Sequence, residues 1–205
     1  MLKLGVLISG GGTNLQALIN NIETGDIDGK IELVISNKKD VYGLERGKKA
    51  GIETLYLNPK DFDSDGAYNL QLIKEFKDRD VDLVVLAGYL KILSQDFIKE
   101  YKNRIINIHP SLIPSFCGDG YYGDKVHQAV LDYGSKLTGA TVHIVDEGTD
   151  TGPIILQEAV KVEDDETLQS LQEKVLEIEH KILVEAVRLY CDKRLSIEGR
   201  HVKIL

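Results

Sequence analysis

The sequence predicts an α/β fold in which a mainly parallel, twisted sheet is flanked by helices. Short runs rich in Val, Ile and Leu alternate with helical stretches through the first half of the chain. These apolar runs lack polar alternation, as is typical of strands covered on both faces. Strands that alternate with helices form βαβ units with right-handed crossovers, so we expect a doubly wound, Rossmann-like layer in this half.

Four strands and four helices are predicted in the first half. The strands are the short apolar runs Leu2–Ser9, Ile31–Ser36, Asp82–Ala87 and Arg104–Ile108. The helices are the longer stretches Asn14–Glu23, Tyr42–Ala50, Asp65–Asp78 and Gln95–Tyr101. Because these helices lie between the strands, they supply the crossovers that a parallel sheet requires.

The pattern changes after Pro110, where a loop rich in Gly and Tyr begins. The predicted segments that follow are the loop Ser115–Lys125, a helix at Val126–Tyr133, strands at Ala140–Asp146 and Ile154–Val162, an amphipathic helix at Thr167–Asp192 and a hairpin at Arg194–Leu205. No linker, repeat or low-complexity segment interrupts the chain. We therefore expect residues 1–205 to form a single domain.

Composition excludes several classes of protein. The 205 residues are 42% hydrophobic and 28% charged, which is typical of a globular domain. The formal net charge of −8 argues against a nucleic-acid binder, which normally needs a basic face. No apolar run is long enough for a membrane helix, so we expect a cytoplasmic protein. Cys117 and Cys191 lie outside any CxxC motif, and we expect free thiols.

The stretch SGGGTN, Ser9–Asn14, is the first candidate site. Consecutive glycines let the backbone approach a ligand closely, and the free N–H groups at a helix start favour an anion, so we predict a phosphate site. It is not a Walker loop, because no Lys follows the last Gly. It is not a dinucleotide fingerprint either, since Leu15 replaces the third glycine and Asn37 stands where an acid is expected. The alternative is a turn capped by Thr13 or Asn14.

Asn107 and His109 form the second candidate site, at the end of a buried strand. Side chains alternate along a strand, so both should point to one side, with Ile108 opposite. This strand end lies on the same sheet edge as the glycine loop, where open α/β sheets bind ligands. An amide can donate to a carbonyl oxygen that gains negative charge, and an imidazole can exchange a proton near neutral pH. The alternative is a histidine bonded into a turn.

The third candidate site is the turn HIVDEGTDTGP, His143–Pro153. A carboxylate in this turn could orient a histidine and favour its protonated form. Spacing leaves Asp146, Glu147 and Asp150 as equal candidates, and a solvated turn is the alternative. No pair of residues has metal-ligand spacing such as HxH or HExxH, so we expect no metal.

Four motifs in this order resemble the glycinamide ribonucleotide formyltransferases, a branch of the folate-dependent formyltransferase superfamily. They are SGGGTN, VVLAGYLKILS, NIHPSLIP and GATVHIVDEGTDTGPII. The resemblance extends from Leu2 to about His180. It implies the formyltransferase fold and transfer of a formyl group from 10-formyltetrahydrofolate to the amine of 5′-phosphoribosylglycinamide in purine biosynthesis, without a metal. It also implies a ribotide-binding half over residues 1–109 and a folate-binding half over residues 110–205.

The resemblance assigns roles to particular residues. The implied phosphate-holding residues are Gly12, Thr13 and Asn14, and the implied catalytic residues are Asn107, His109 and Asp150. The implied folate-facing residues are Leu90, Lys91, Ile92, Leu93 and Asn107, together with the loop from Asp146 to Asp150. Glu179 resembles the glutamate that meets the glycinamide, and His143 resembles a polar residue that supports the cleft.

Charge development in the reaction suggests a mechanism. We expect Asp150 to raise the pKa of His109, so that the imidazolium and the Asn107 amide stabilise the oxyanion formed when the substrate amine attacks. The imidazolium would then protonate the departing folate nitrogen. Binding both substrates in one cleft would supply much of the acceleration.

Some residues depart from the family pattern, and other functions are conceivable. The family commonly has Arg at Lys91 and near Asp65, Cys117 stands where Pro is frequent, and the loop Ser115–Lys125 is longer than in many relatives. The alternatives are a formyltetrahydrofolate deformylase, a methionyl-tRNA formyltransferase and a catalytically silent ligand sensor. We expect small-molecule substrates and no nucleic-acid or membrane partner, in a monomer or a homodimer.

Overall fold

The computed structural model describes residues 1–205, and all nine strands belong to one sheet. The strands are β1 (Leu2–Ile8), β2 (Gly29–Ser36), β3 (Glu53–Tyr56), β4 (Leu83–Leu86), β5 (Ile105–His109), β6 (Leu137–Ile144), β7 (Ile154–Lys161), β8 (Leu195–Glu198) and β9 (His201–Ile204). The helices are α1 (Thr13–Glu23), α2 (Tyr42–Lys49), α3 (Asp65–Lys77), α4 (Gln95–Glu100), α5 (Asp124–Tyr133) and α6 (Leu168–Cys191), with a 3₁₀ turn at Pro59–Asp61.

The sheet order is β3-β2-β1-β4-β5-β6-β7-β9-β8. Five of the eight neighbouring pairs are parallel, including every pair from β3 to β5. The remaining three are antiparallel. The predicted α/β class with a mainly parallel sheet is therefore confirmed, and the doubly wound layer covers the first half of the chain.

Helices cover both faces of the sheet. Helices α1, α2, α5 and α6 bury their apolar residues in one core on one face, with Leu15, Leu44, Val130 and Leu183 as members. Helices α3 and α4 pack on the opposite face, where Tyr68, Phe76 and Phe97 are fully buried. This explains why the strands of the first half read as continuous apolar runs. No helix, α6 included, combines the length and apolarity needed to cross a membrane.

Every predicted element is present, with ends that differ by at most three residues. The largest difference is in β6, which begins at Leu137 because it pairs with the far end of β7 at Lys161. Strand β3 was not predicted. It has only four residues, it lies at the sheet edge, and its terminal residues Glu53 and Tyr56 are exposed, so it lacks the buried apolar run by which the other strands were found.

The topology brings the candidate residues to one edge. The carboxyl ends of β1, β4 and β5 meet there because these strands are parallel neighbours. Strand β6 runs antiparallel to β5 and places His143 directly opposite Asn107. The long turn after β6 therefore returns to the same edge.

Candidate active site

A cleft of about 720 Å³ opens at this edge of the sheet. Its walls are the segment after β4, the end of β5, the loop Ser115–Lys125, the turn after β6 and one face of α6. All the predicted catalytic and folate-facing residues line it, as does Glu179. The glycine loop does not line it directly, but is joined to it through Asn14.

Asn107 and His109 point into the cleft from β5, as strand alternation predicted. His109 is buried, with 4% of its surface exposed, and Asn107 is half-buried. His109 Nδ1 lies 3.5 Å from Asp150 Oδ2, and Asn107 Nδ2 lies 3.0 Å from His143 Nε2. Asp150 Oδ1 is 3.7 Å from the same nitrogen of His143, so the four side chains form one cluster.

The three acids of the turn separate clearly in the structure. Asp150 alone reaches the histidines, and the backbone N–H of Gly118 donates to its Oδ2 at 3.0 Å. Asp146 instead accepts from the N–H of Gly148 and the hydroxyl of Thr151, so it holds the turn together. Asp150 has a positive φ of 56°, a left-handed conformation that Asp tolerates better than most residues.

Hydrogen bonds orient the side chains of His143 and Asn107. His143 Nδ1 is 3.0 Å from the carbonyl oxygen of Ile144, which can only accept, so Nδ1 carries the hydrogen. In the neutral ring, Nε2 then accepts from the Asn107 amide. One amide hydrogen of Asn107 is used in this way, and the second is available to a ligand oxygen.

The loop Ser115–Lys125 contacts His109 as well as Asp150. His109 Nε2 lies 3.0 Å from the carbonyl oxygen of Phe116, so Nε2 is the protonated nitrogen of the neutral ring. Nδ1 is then the nitrogen that can accept a proton on the side of Asp150. Phe116 has a φ of 49° and Gly118 a φ of 87°, and these two left-handed residues direct the carbonyl of Phe116 toward His109 and the N–H of Gly118 toward Asp150.

The expected rise in the pKa of His109 is wrong as a net effect. Burial is the largest influence and lowers this pKa, because a charged ring loses its hydration. The negative charge of Asp150 acts to raise the pKa of His109, as predicted, but burial outweighs this influence. The distance of 3.5 Å between Nδ1 and the carboxylate is long for a shared proton, which agrees with a neutral ring.

Asp150 remains the charged member of the pair. Burial acts to raise its pKa, but His143, His109 and the N–H of Gly118 together outweigh that influence and lower it. The cluster thus holds a carboxylate beside a neutral imidazole. This arrangement suits a base that must accept a proton and be stabilised once it is charged.

The glycine loop forms the turn into α1 without a side-chain cap. Gly12 is the N-cap residue, with a φ of 72°, and neither Thr13 nor Asn14 caps the helix, so the capping alternative is wrong. A Cβ on Gly12 would lie 2.6 Å from the Cα of Gly43, so the loop packs too closely against α2 for a side chain. The N–H groups in the first turn of α1 have no intrahelical partners, as an anion site requires.

Asn14 connects the glycine loop to α6. Its Nδ2 donates to Glu179 Oε2 at 2.7 Å, although 165 positions separate the two residues. Burial raises the pKa of Glu179 to about 7, and the Asn14 bond offsets only part of this effect. Glu179 is half-buried as a residue because it lines the cleft, while its carboxyl group is enclosed. The Oδ1 of Asn14 is buried and has no hydrogen-bond partner.

The segment Leu90–Leu93 forms the wall opposite the acidic turn. Leu90 and Ile92 are exposed large apolar residues, and the N–H of Leu90 donates to Ser9 Oγ, which ties this wall to the end of β1. Lys91 lines the cleft, but its Nζ lies 2.7 Å from Asp65 Oδ1. The structure thus gives the ammonium of Lys91 a partner outside the cleft lining.

Sequence reasoning missed two residues of this region. Arg46 donates from Nε to the carbonyl of Gly11 and from Nη1 to Gln16, and so places a guanidinium beside the glycine loop. His127 is a buried histidine of the cleft wall whose Nδ1 has no partner. Neither residue belongs to a recognisable motif, and only their tertiary position marks them. No group of three or more His, Cys, Asp and Glu residues is placed to hold a metal ion.

Comparison with known proteins identifies relatives of the chain. Residues 2–187 match the family described as Formyl transferase. The chain is 41% identical over 195 residues to the chloroplastic phosphoribosylglycinamide formyltransferase of Arabidopsis thaliana, covering 95% of this chain and 67% of that protein. It is 42% identical to the trifunctional purine biosynthetic protein adenosine-3 of Bos taurus, of which it spans only 19% while 97% of this chain is covered.

Solved structures give the same result. Glycinamide ribonucleotide transformylase 1 from Symbiobacterium toebii superimposes with a TM-score of 0.95 at 44% identity, covering 100% of this chain and 94% of that one. A formyltetrahydrofolate deformylase from Pseudomonas syringae superimposes with a TM-score of 0.88 at 26% identity, covering 100% of this chain and 66% of that one. The transformylase is thus more similar in both sequence and structure.

Proposed function

This chain belongs to the formyl transferase family, and on that basis we propose that it transfers the formyl group of 10-formyltetrahydrofolate to the amine of 5′-phosphoribosylglycinamide. The reaction is a step of purine biosynthesis and the protein is a one-carbon transferase. The observation that carries the proposal is one cleft that combines Asn107, His109 and Asp150 with the Asn14–Glu179 pair beside the glycine loop. This arrangement offers a reaction centre and a separate place for the acceptor.

The residues support a division of labour between the two substrates. The N–H groups of Gly12, Thr13 and Asn14 would hold the ribotide phosphate, and Glu179 would hold the amine of the acceptor. The apolar side chains of Leu90, Ile92 and Leu93 would face the folate ring, with Asp146 at the opposite wall. We also propose that the protein works on these small molecules in the cytoplasm, as a monomer or homodimer and without nucleic acid.

The geometry supports a mechanism in which His109 acts first as a base. The neutral amine attacks the formyl carbon, and the free amide hydrogen of Asn107 stabilises the oxygen that gains negative charge. Nδ1 of His109 accepts the proton that the attacking nitrogen must lose, and Asp150 stabilises the resulting imidazolium. When the bond between the carbon and N10 of the folate breaks, the imidazolium returns this proton to N10.

The proposal is tested by following folate absorbance after addition of 10-formyltetrahydrofolate with and without the ribotide. We expect release of tetrahydrofolate only when the ribotide is present. Release without the ribotide would identify a deformylase, and no release in either case would identify a ligand sensor. His109→Ala should fold normally and lose about 100- to 1000-fold in kcat, as expected for the loss of a proton-transfer group.

The deformylase alternative shares the reaction centre, because water could replace the amine. It gives no reason for the glycine loop and for Glu179, whose carboxyl is held by Asn14. An enzyme that uses water needs neither a phosphate site nor a group that meets an amine. These two features favour the transferase.

A further inference from the structure

The cleft is strongly acidic for a site that binds an anionic co-substrate. Among the residues that line it, Lys91 is the one Lys or Arg, whereas seven are Asp or Glu. Two of these acids lie on the loop Ser115–Lys125, three on the turn 146–150 and two on α6. Tetrahydrofolates end in one or more glutamates, each of which adds negative charge. An ammonium at the cleft rim is therefore the group expected to attract such a tail.

Lys91 is placed at the rim of the cleft. Its neighbours Leu90 and Ile92 are 47% and 68% exposed, so a chain leaving the reaction centre along this wall would emerge beside it. Its own side chain is 21% exposed. The aliphatic stem is covered, and the ammonium lies 5.8 Å from the ring centroid of Tyr68.

Asp65 neutralises this ammonium from outside the cleft. Its Oδ1 lies 2.7 Å from Lys91 Nζ, while its own side chain is 78% exposed. Asp65 is the first residue of α3, where the helix dipole favours a negative charge, so this carboxylate is stabilised independently of Lys91. A folate carboxylate must compete with Asp65 for the ammonium.

We propose that Asp65 is a specificity-determining residue that masks Lys91, so that the cleft gains little affinity from additional glutamates on the formyl donor. The inference rests on the proposed function, because it concerns the tail of the folate co-substrate. It predicts that neutralising Asp65 releases Lys91 and strengthens donor binding. Exposed ion pairs contribute modestly, so the gain should be about two- to fivefold for one glutamate.

The test compares Asp65→Asn with Asp63→Asn, which removes the same charge from an exposed residue that has no ion pair. We expect Asp65→Asn to lower the KM for the donor about two- to fivefold, and more for a triglutamate than for a monoglutamate. The KM for the ribotide and kcat should stay unchanged, and the gain should shrink at high salt. Asp63→Asn should behave as the wild type.

Direct binding separates this inference from the proposed function. Titration with folate monoglutamate and triglutamate, neither of which carries a formyl group, measures the tail contribution without turnover. In a Lys91→Met background, Asp65→Asn should give no gain, because there is no ammonium to release. An unchanged or weaker affinity of Asp65→Asn, or an equal gain in Asp63→Asn, would overturn the inference even if the wild type transfers formyl groups as proposed.

Discussion

The titration of Glu179 allows a quantitative test of how burial in the cleft affects a carboxyl group. Its pKa is about 7 in the folded protein, against 4.5 in an unfolded chain. A carboxyl group whose pKa is raised by folding binds protons more tightly in the folded state. The stability it contributes is therefore fully present below pH 4.5 and is lost as pH rises through about 7.

The perturbation is Glu179→Gln, which removes the titration but keeps an oxygen that can accept from Asn14. The difference between the pKa values of 7 and 4.5 corresponds to a change of about 3 kcal/mol in the free energy of unfolding between the low-pH and high-pH limits, at about 1.36 kcal/mol per pKa unit. The window from pH 5 to pH 8 begins above 4.5 and so captures only part of this difference, for which we expect about 2 kcal/mol. The free energy of unfolding of the variant should therefore increase by this amount relative to that of the wild type as pH rises from 5 to 8.

Urea unfolding of both proteins at pH 5 and pH 8 measures the free energies of unfolding. Glu177→Gln is the matched control, because Glu177 lies exposed on the same helix without an ion pair. Its difference from the wild type should not change with pH. The reasoning fails if the gap between Glu179→Gln and the wild type stays constant from pH 5 to pH 8, or if Glu177→Gln shows the same gap. In activity assays, Glu179→Gln should raise the KM for the ribotide.

Two further predictions concern the reaction centre. Asp150→Asn should lower kcat about 100-fold and shift the acid limb of the pH profile to lower pH, since Asp150 acts to raise the pKa of His109; an unchanged rate and profile would exclude this role. Gly118→Ala should lower kcat about tenfold, because its N–H holds Asp150. The control is Gly120→Ala, which strains a left-handed glycine of similar φ, 88° against 87° for Gly118. Gly120 makes no such hydrogen bond to Asp150, so this variant should stay near the wild-type rate. Equal losses in both variants would assign the effect to loop strain alone.

The local sequence pattern was sufficient to predict the strands and the convergence of the Asn107 and His109 side chains. A strand places residues two apart on one side, and parallel strands bring their carboxyl ends to one edge, so these two consequences follow from local pattern. Strand β3 was not predicted, because an exposed edge strand needs no apolar run. The choice of Asp150 among three acids came only from the family resemblance, because spacing alone gives them equal reach.

Other properties of the site depend on contacts that no local pattern encodes. Asn14 and Glu179 are distant in the sequence, and the sequence around one residue gives no indication of its contact with the other. The pKa of His109 is set by burial, which sums over all the elements that enclose the ring, so the nearby carboxylate gave the wrong net direction. The pairing of Lys91 with Asp65 likewise requires the tertiary structure.

The contact between Asn14 and Glu179 also has a consequence for biosynthesis of the chain. During translation, β1, β2 and β4 emerge early and can pair, while α6 is still being synthesised. A nascent or truncated chain could thus fold much of its parallel layer and still lack the residue proposed to receive the amine. Ribotide binding would then report that the last helix has been made and has docked.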